Sequence, residues 1–227
     1  MKVTHCSEGI VYSIRPMKRA TTTFICSLLL PQVGIAQDSA LDQRATAEIA
    51  IIEDQHPVID GRLDDKVWDS ATQIKDFTEV TPNEGAPASP PTICYLARDN
   101  DTLFIAFECF EDDVDSMVLQ NLSRDAFLTD DDRVEIVFDT FNNKHSGYFF
   151  QMSAAGSRGD SLLGDNGRRF NKPWNAFWKG EVKVHQDRWV CEMAIPFAAL
   201  SSGETDIWGI NMGRYRGATR TKYRWSA

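Results

Sequence analysis

From residue 92 onward, apolar and polar positions alternate with a period of two, which is typical of strands with one buried face. Three pairs of these runs are separated by short polar segments, and this arrangement predicts three β-hairpins. The paired runs are 92–97 with 103–110, 133–139 with 147–153, and 182–185 with 189–195. Apolar patterns at 48–53, 74–80, 207–214 and 222–225 predict further strands.

Helical patterns are scarce. Asp64 is a suitable N-cap for one short helix over 65–71, with Trp68 on its inward face. The segment 196–200 is long enough for a single helical turn, and 81–91 is a loop rich in Pro, Ala and Gly. Short strands joined by polar turns predict an all-β fold, an antiparallel β-sandwich of the immunoglobulin-like kind with one short helix.

The first 36 residues have the pattern of a leader and signal peptide. A basic start at Met17-Lys18-Arg19 precedes the apolar run Phe24–Leu30, and the small residues Gly34-Ile35-Ala36 precede Gln37. This apolar run is shorter than the roughly 20 residues that a membrane-spanning helix needs. The pattern predicts export to the periplasm or outer membrane, with Met17 as the true start. Removal of residues 1–36 would leave a flexible mature N-terminus at 37–47 and one domain at 48–227.

The charge of the chain excludes one class of partner. The 227 residues carry a net charge of −9, and removal of residues 1–36 would leave 20 basic and 32 acidic side chains. Nucleic-acid binding needs clustered Lys and Arg, so no nucleic-acid partner is expected. Three cysteines would remain, all in apolar runs, and we expect them in the core.

The segment 168–178 concentrates two tryptophans and two phenylalanines among Asn, Lys and Pro. Proline and asparagine favour a loop here, leading into a strand at 177–184. Aromatic rings beside amide and basic groups suit a sugar ring, which has apolar C–H faces and polar hydroxyls. Trp174 is the better stacking candidate, whereas Trp178 lies beside the strand, where burial in the core is the more frequent outcome.

Two acidic clusters, at 111–115 and 130–132, are candidates for a weak calcium site. Calcium takes six to eight oxygen ligands, and Asp112, Asp113, Asp130 and Asp132 could supply them. The spacing of an EF-hand is absent, and solvated turns are the alternative explanation. No other cofactor is expected.

Catalytic motifs are missing. The sequence has no Gly-x-Ser-x-Gly elbow and no phosphate-binding loop, and its histidines are isolated. Glycoside hydrolysis needs two carboxylates, for which Asp125 with Asp160 is the pair to test. A binding protein is favoured over an enzyme.

Several segments together resemble the family 9 carbohydrate-binding modules. The resemblance begins with Val58-Ile59-Asp60-Gly61-Arg62-Leu63-Asp64-Asp65 and Trp68, and includes Trp189-Val190-Cys191-Glu192-Met193-Ala194-Ile195-Pro196-Phe197. It is closer still to the family-9-like N-terminal domain of a group of exported bacterial proteins, the DUF5916 group. The pattern continues through Arg124-Asp125, Asp132-Arg133-Val134-Glu135, Phe138-Asp139-Thr140-Phe141, Tyr148, Phe150, Gly156, Asp160, Trp174, Trp178, Trp208-Gly209-Ile210-Asn211, Arg214 and Trp225.

The resemblance covers about 58–225 and implies a β-sandwich that binds sugars between aromatic faces and holds structural calcium. Asn175 stands where the group usually has Asp, which removes one acceptor charge. The candidate ligand-binding set is Trp174, Trp178, Arg124, Asp125, Asp160 and Asn175.

We therefore expect an exported module that recognises a saccharide and serves carbohydrate breakdown or uptake. Longer members of the DUF5916 group continue into what resembles an outer-membrane β-barrel, so a periplasmic accessory domain of such a barrel, without sugar binding, is one alternative. A glycoside hydrolase component is another. The first hypothesis predicts an exposed Trp174, and the barrel alternative predicts a buried one.

Overall fold

The computed structural model describes residues 2–3, 47–53, 55–204 and 207–225. The predicted signal peptide and mature N-terminus lie outside the described residues, apart from 2–3 and Ala47. No helix within these ranges is long and apolar enough to cross a membrane.

Fourteen strands are present in the described residues, with little helix. The strands are β1 (Lys2–Val3), β2 (Ala50–Ile51), β3 (Thr72–Ile74), β4 (Phe77–Thr81), β5 (Thr92–Arg98), β6 (Thr102–Phe110), β7 (Arg133–Asp139), β8 (Gly147–Ser153), β9 (Arg158–Gly164), β10 (Arg169–Asn171), β11 (Lys179–Val184), β12 (Arg188–Pro196), β13 (Ile207–Arg216) and β14 (Thr221–Trp225). The helix α1 spans Val67–Ser70, and 3₁₀ turns span Val114–Ser116 and Phe197–Ala199.

The strands form two largely antiparallel sheets. The first sheet has the order β10-β9-β8-β7-β13-β14-β4, with β1 beside β13. The second sheet has the order β11-β12-β6-β5-β2, with β3 also beside β5. The predicted all-β sandwich is confirmed, as are the three hairpins formed by β5–β6, β7–β8 and β11–β12.

The core lies between the inner faces of the two sheets. In β7, Val134, Ile136 and Phe138 are fully buried, which leaves the alternate positions on the outer face. In β12, Trp189 and Cys191 are buried in the same cluster. All three cysteines at 94, 109 and 191 are free and buried, and burial raises the pKa of each thiol.

The predicted single strand over 74–80 is wrong. Ile74 ends β3 in the second sheet, and Phe77 begins β4 in the first sheet. Both side chains are buried in the core although they are three residues apart. One strand cannot place two such residues on the same face, so the chain crosses between the sheets at Lys75 and Asp76.

Other predicted elements also differ from the structure. Helix α1 is shorter than predicted, and Lys66 rather than Asp64 occupies its N-cap without a side-chain hydrogen bond. The strand predicted at 177–184 begins only at Lys179. The strands β9 and β10 were not predicted, and β10 lies within the predicted loop 168–178.

The outer face of the second sheet is covered by the described residues of the segment 52–71. A buried carboxylate fixes this cover: Glu192 accepts hydrogen bonds from the backbone N–H groups of Asp60 (2.9 Å), Gly61 (2.8 Å) and Arg62 (3.2 Å). It also accepts one from Nε1 of Trp68 at 2.8 Å. Burial raises the pKa of Glu192, and these hydrogen bonds act in the opposite direction.

Candidate functional site

Five of the six residues in the predicted ligand-binding set lie together at the first sheet. Asp160 in β9 accepts hydrogen bonds at 2.6 Å from Nη2 of Arg124 and at 2.6 Å from Nε1 of Trp178. Arg124 also donates to Oδ1 of Asn175 at 3.3 Å and lies 3.3 Å from Oδ2 of Asp125. These contacts tie the loop before β7 to the loop before β11.

The two tryptophans of the set pack inward. Trp178 is only 3% exposed, with its ring edge-on to Phe150 at 5.4 Å between centroids. Trp174 is half-buried and packs against Tyr148 at 5.2 Å and Phe150 at 6.2 Å. Their neighbour Phe177 is 85% exposed. The tryptophans therefore anchor this loop to the core.

The carboxylates of Asp125 and Asp160 are occupied within the protein. The side chain of Asp160 is fully buried, and its carboxylate forms an ion pair of 2.6 Å with the Arg124 guanidinium. Asp125 has a positive φ of 59° and accepts a 3.4 Å hydrogen bond from the backbone N–H of Asp160. The two carboxylates are thus hydrogen-bonded within the protein and join the loops that carry Asp125 and Asn175.

The predicted calcium ligands have separate surroundings. Asp132 accepts hydrogen bonds from the backbone N–H groups of Val118 (2.8 Å) and Gly217 (3.0 Å). Burial raises the pKa of Asp132, and the same hydrogen bonds partly offset this rise. Asp113 accepts a hydrogen bond from the backbone N–H of Asp115 at 3.0 Å and caps a 3₁₀ turn.

Asp112 and Asp130 are exposed, and Asp112 lies 3.6 Å from Nη2 of Arg216. Across the described ranges, no group of three or more acidic, histidine or cysteine side chains is placed to hold a metal ion. Calcium binding stays a prediction.

The outer face of the first sheet carries a groove with a volume of about 540 Å³. Its floor is formed by outward-facing residues of β7, β8 and β9, and its walls by β10 and the loops at 125–129 and 172–173. The lining residues are Asp125, Phe127, Leu128, Thr129, Arg133, Glu135, Phe149, Gln151, Gly159, Asp160, Ser161, Phe170, Lys172 and Pro173. Two members of the predicted set, Asp125 and Asp160, are among them.

Three phenylalanine rings line this groove. Phe149 and Phe170 pack edge to face at 5.3 Å, and Phe170 is 49% exposed. Phe127 is 77% exposed, and Nζ of Lys172 lies 3.6 Å from the centroid of its ring. The groove therefore combines accessible aromatic surface with polar side chains, which is the composition expected of a small-molecule site.

The basic groups of the groove are used within the protein. Nζ of Lys172 donates to the carbonyl oxygen of Asp125 at 3.1 Å. Nη1 of Arg133 donates to the carbonyl oxygen of Leu128 at 2.5 Å, and its guanidinium lies 4.5 Å from the ring centroid of Tyr215. Both cations hold the walls of the groove in place.

Sequence reasoning missed most of the groove. Phe127, Phe149, Phe170, Glu135 and Gln151 were not chosen as candidates, although Phe149 carried a usable indication. It is an apolar residue at an outward position of a half-buried strand, between the core residues at 148 and 150. The contribution of Phe127 comes from a loop whose position depends on contacts distant in sequence.

The fold and groove define a β-sandwich with a ligand-sized groove on the outer face of one sheet. Residues 59–226 match the family described as carbohydrate family 9 binding domain-like, and the chain belongs to this family. The predicted resemblance is thereby confirmed at the level of the family. No curated protein sequence matches the chain.

Solved structures of similar fold agree with this membership. A family 9 carbohydrate-binding module from Caldicellulosiruptor kristjanssonii in complex with glucose is 16% identical, with a TM-score of 0.54 over 77% of this chain and 84% of that chain. The complex of such a module from the same organism with cellotriose is 15% identical, with a TM-score of 0.54 over 78% and 83%. A protein of Bacteroides uniformis ATCC 8492, for which carbohydrate binding has been proposed, is 12% identical, with a TM-score of 0.55 over 69% and 78%.

Proposed function

We propose that this protein binds a saccharide in the groove on the outer face of its first sheet. The observation that carries the proposal is the groove itself, with the exposed rings of Phe127 and Phe170 beside polar side chains on the sheet. Membership of the family, and the glucose and cellotriose bound by two similar structures, support the same ligand class.

The chemistry of a pyranose matches the groove. Its axial C–H groups present an apolar face, which an aromatic ring can cover, while its hydroxyls need hydrogen-bond partners around the rim. Phe127 and Phe170 supply aromatic surface, and Glu135 and Gln151 supply polar groups on the floor.

The candidates predicted from sequence take a supporting part in this proposal. Asp125 and Asp160 line the groove, and Arg124, Asn175 and Trp178 hold the two loops at its end. Trp174 packs behind these loops against the core. The predicted set thus determines the shape of the groove, and the three phenylalanines provide its contact surface.

Calorimetric titration of the purified chain with a saccharide panel that includes glucose and cellotriose tests the proposal. We expect saturable binding of at least one saccharide, weakened about fivefold by Phe127→Ala, because one stacked ring contributes roughly 1 kcal/mol. Phe177→Ala is the matched control, since Phe177 is similarly exposed and does not line the groove. Equal losses in both variants would place the site elsewhere, and silence across the panel would reject saccharide binding.

Export and calcium form a second part of the proposal. The pattern of the first 36 residues supports export to the periplasm or outer membrane, with a role in carbohydrate breakdown or uptake. N-terminal sequencing of the mature protein, with cleavage before Gln37 as the expected result, tests export.

Calcium binding has its own test. A chelator that lowers the melting temperature would support the proposal of a calcium site. An association with an outer-membrane barrel stays a prediction.

A further inference from the structure

The polar groups of the groove differ in the hydrogen bonds that they form within the protein. Asp160 receives hydrogen bonds from Arg124 and Trp178, and Lys172 and Arg133 donate to backbone carbonyls. Glu135 differs from all of them. Its nearest cationic atom is Nε of Arg133 at 3.8 Å, and no hydrogen bond to its carboxylate is present among the described residues.

The position of Glu135 makes this deficit unusual. Its side chain is only 18% exposed, so most of the carboxylate's surroundings are protein rather than bulk water. The carboxylate keeps unused acceptor capacity, because its contact with Arg133 is longer than a hydrogen bond, and a donor on a ligand can fill that capacity. Glu135 belongs to the floor of the groove, where a bound ligand would meet it.

The neighbouring strands leave room around this carboxylate. Gly213 is the partner of Glu135 on β13, and a Cβ at that position would lie 3.3 Å from Oε1 of Glu135. On the other side, Gln151 is the partner on β8 and itself lies over Gly159, where a Cβ would approach its Nε2 to 2.9 Å. The two glycines thus leave space against the sheet for both polar side chains.

The charges of the groove favour a particular ligand. Its lining includes three carboxylates and two cations, and both cations already hold the walls. The anion Glu135 is held only by a long ion pair of 3.8 Å with Arg133, so its position favours donors and positive charge and disfavours a second carboxylate. A protonated amino group supplies three donors and the opposite charge in one small group.

We propose that Glu135 makes the groove selective for saccharides that carry a protonated amino group, such as oligomers of glucosamine. Neutral saccharides bind more weakly, because their hydroxyls can donate hydrogen bonds to the carboxylate but carry no positive charge. Uronate oligomers are rejected, because their carboxylates repel the carboxylate of Glu135. This inference rests on the proposed saccharide site and names the ligand class of that site.

Calorimetry at mildly acidic pH, where the amines of glucosamine oligomers are protonated, tests the inference with three oligosaccharides of equal length. Glucosamine oligomers are compared with N-acetylglucosamine oligomers, in which the amine is neutralised, and with galacturonate oligomers. We expect the glucosamine oligomer to bind about tenfold more tightly than its acetylated counterpart, the size of one hydrogen bond to a charged group. No saturable heat is expected from the galacturonate oligomer.

Two variants separate this local effect from the general attraction of an acidic protein for cations. Glu135→Gln keeps the shape of the side chain and should abolish the preference. Glu181→Gln makes the same charge change at an exposed position on β11, at the end of the second sheet, and should retain it. A preference that survives Glu135→Gln, equal affinity for amine and amide, or uronate binding would overturn the inference while leaving saccharide binding intact. Absence of binding by every oligosaccharide would overturn both.

Discussion

Glu192 in β12 and Glu135 in β7 both point away from the core, one on the outer face of each sheet. Glu192 is fully buried beneath the segment 52–71 and accepts four N–H hydrogen bonds. Glu135 lies in an open groove and accepts none among the described contacts. The same residue type is therefore part of the fold on the covered face and remains available to a ligand on the open face.

The covered face should respond most strongly to loss of its carboxylate. Glu192→Ala leaves the buried N–H groups of Gly61 and Trp68 without acceptors, and we expect the free energy of unfolding to fall by roughly 3–5 kcal/mol. Urea-induced unfolding measures this change. The control is Glu181→Ala, because Glu181 lies directly opposite on β11 and is exposed. A loss as small as that of the control would contradict the structural role of Glu192.

The turn held by Glu192 offers the next test. Gly61 has a φ of +80°, and a Cβ there would lie 2.7 Å from the backbone nitrogen of Lys183. Gly167 has the same φ, but no atom lies within 4 Å of its Cβ position. We expect Gly61→Ala to lower the free energy of unfolding by about 3 kcal/mol and Gly167→Ala by about 1 kcal/mol, since only the first adds a backbone clash to the unfavourable φ.

The comparison of these two glycines in thermal or urea unfolding is informative because backbone strain is matched. Equal losses would mean that the turn at Gly61 does not pack against β11 as described. A larger loss at Gly61 would confirm that the cover of the second sheet is seated on the neighbouring strand.

The two faces also differ in how far the sequence predicts them. The hairpins follow from alternation, since β5 with β6 and β7 with β8 each place every second residue in the core between the sheets, around a polar turn. The break between β3 and β4 was predictable in principle from Ile74 and Phe77, whose odd spacing is incompatible with burial on one face of one strand. The motif at 58–65 identified the family before its physical role was visible.

The groove was less predictable because it depends on contacts between distant residues. The half-burial of Trp174 follows from Tyr148 and Phe150, which alternation places in the core without indicating which loop will cover them. Strand β9 is rich in glycine and polar residues, so its pairing with β8 has little apolar pattern to reveal it. The open carboxylate of Glu135 is defined by missing partners, which only the assembled structure displays.

A smaller effect on the covered face concerns pH. Tyr95 donates a hydrogen bond to Oε2 of Glu108 at 3.0 Å, and burial together with this bond raises the pKa of Tyr95 from 10.0 to about 12. The folded state therefore retains a proton that the unfolded state loses. The stabilisation of the wild type over Tyr95→Phe should be fully present below pH 10 and be lost as the pH rises through about 12.

Ultraviolet absorbance of ionised tyrosine provides the measurement for this step. The difference between the wild type and Tyr95→Phe should contain a component that titrates near pH 12. A component that instead titrates near pH 10 would show that Tyr95 is not shielded on this face.

The open face should tolerate the substitution that the covered face does not. Glu135→Gln removes a charge that has no hydrogen-bond donor in the described structure, so we expect the free energy of unfolding to change by less than about 0.5 kcal/mol. Glu192→Gln makes the same chemical change but turns an amide toward N–H donors, and a loss of roughly 1.5–3 kcal/mol is expected. Equal losses in urea unfolding would make Glu135 a structural residue like Glu192 and remove the reason for assigning it to a ligand. A larger loss for Glu192→Gln than for Glu135→Gln would show that Glu192 stabilises the fold and that Glu135 does not. Glu135 would then be a residue whose contribution is to ligand binding rather than to stability.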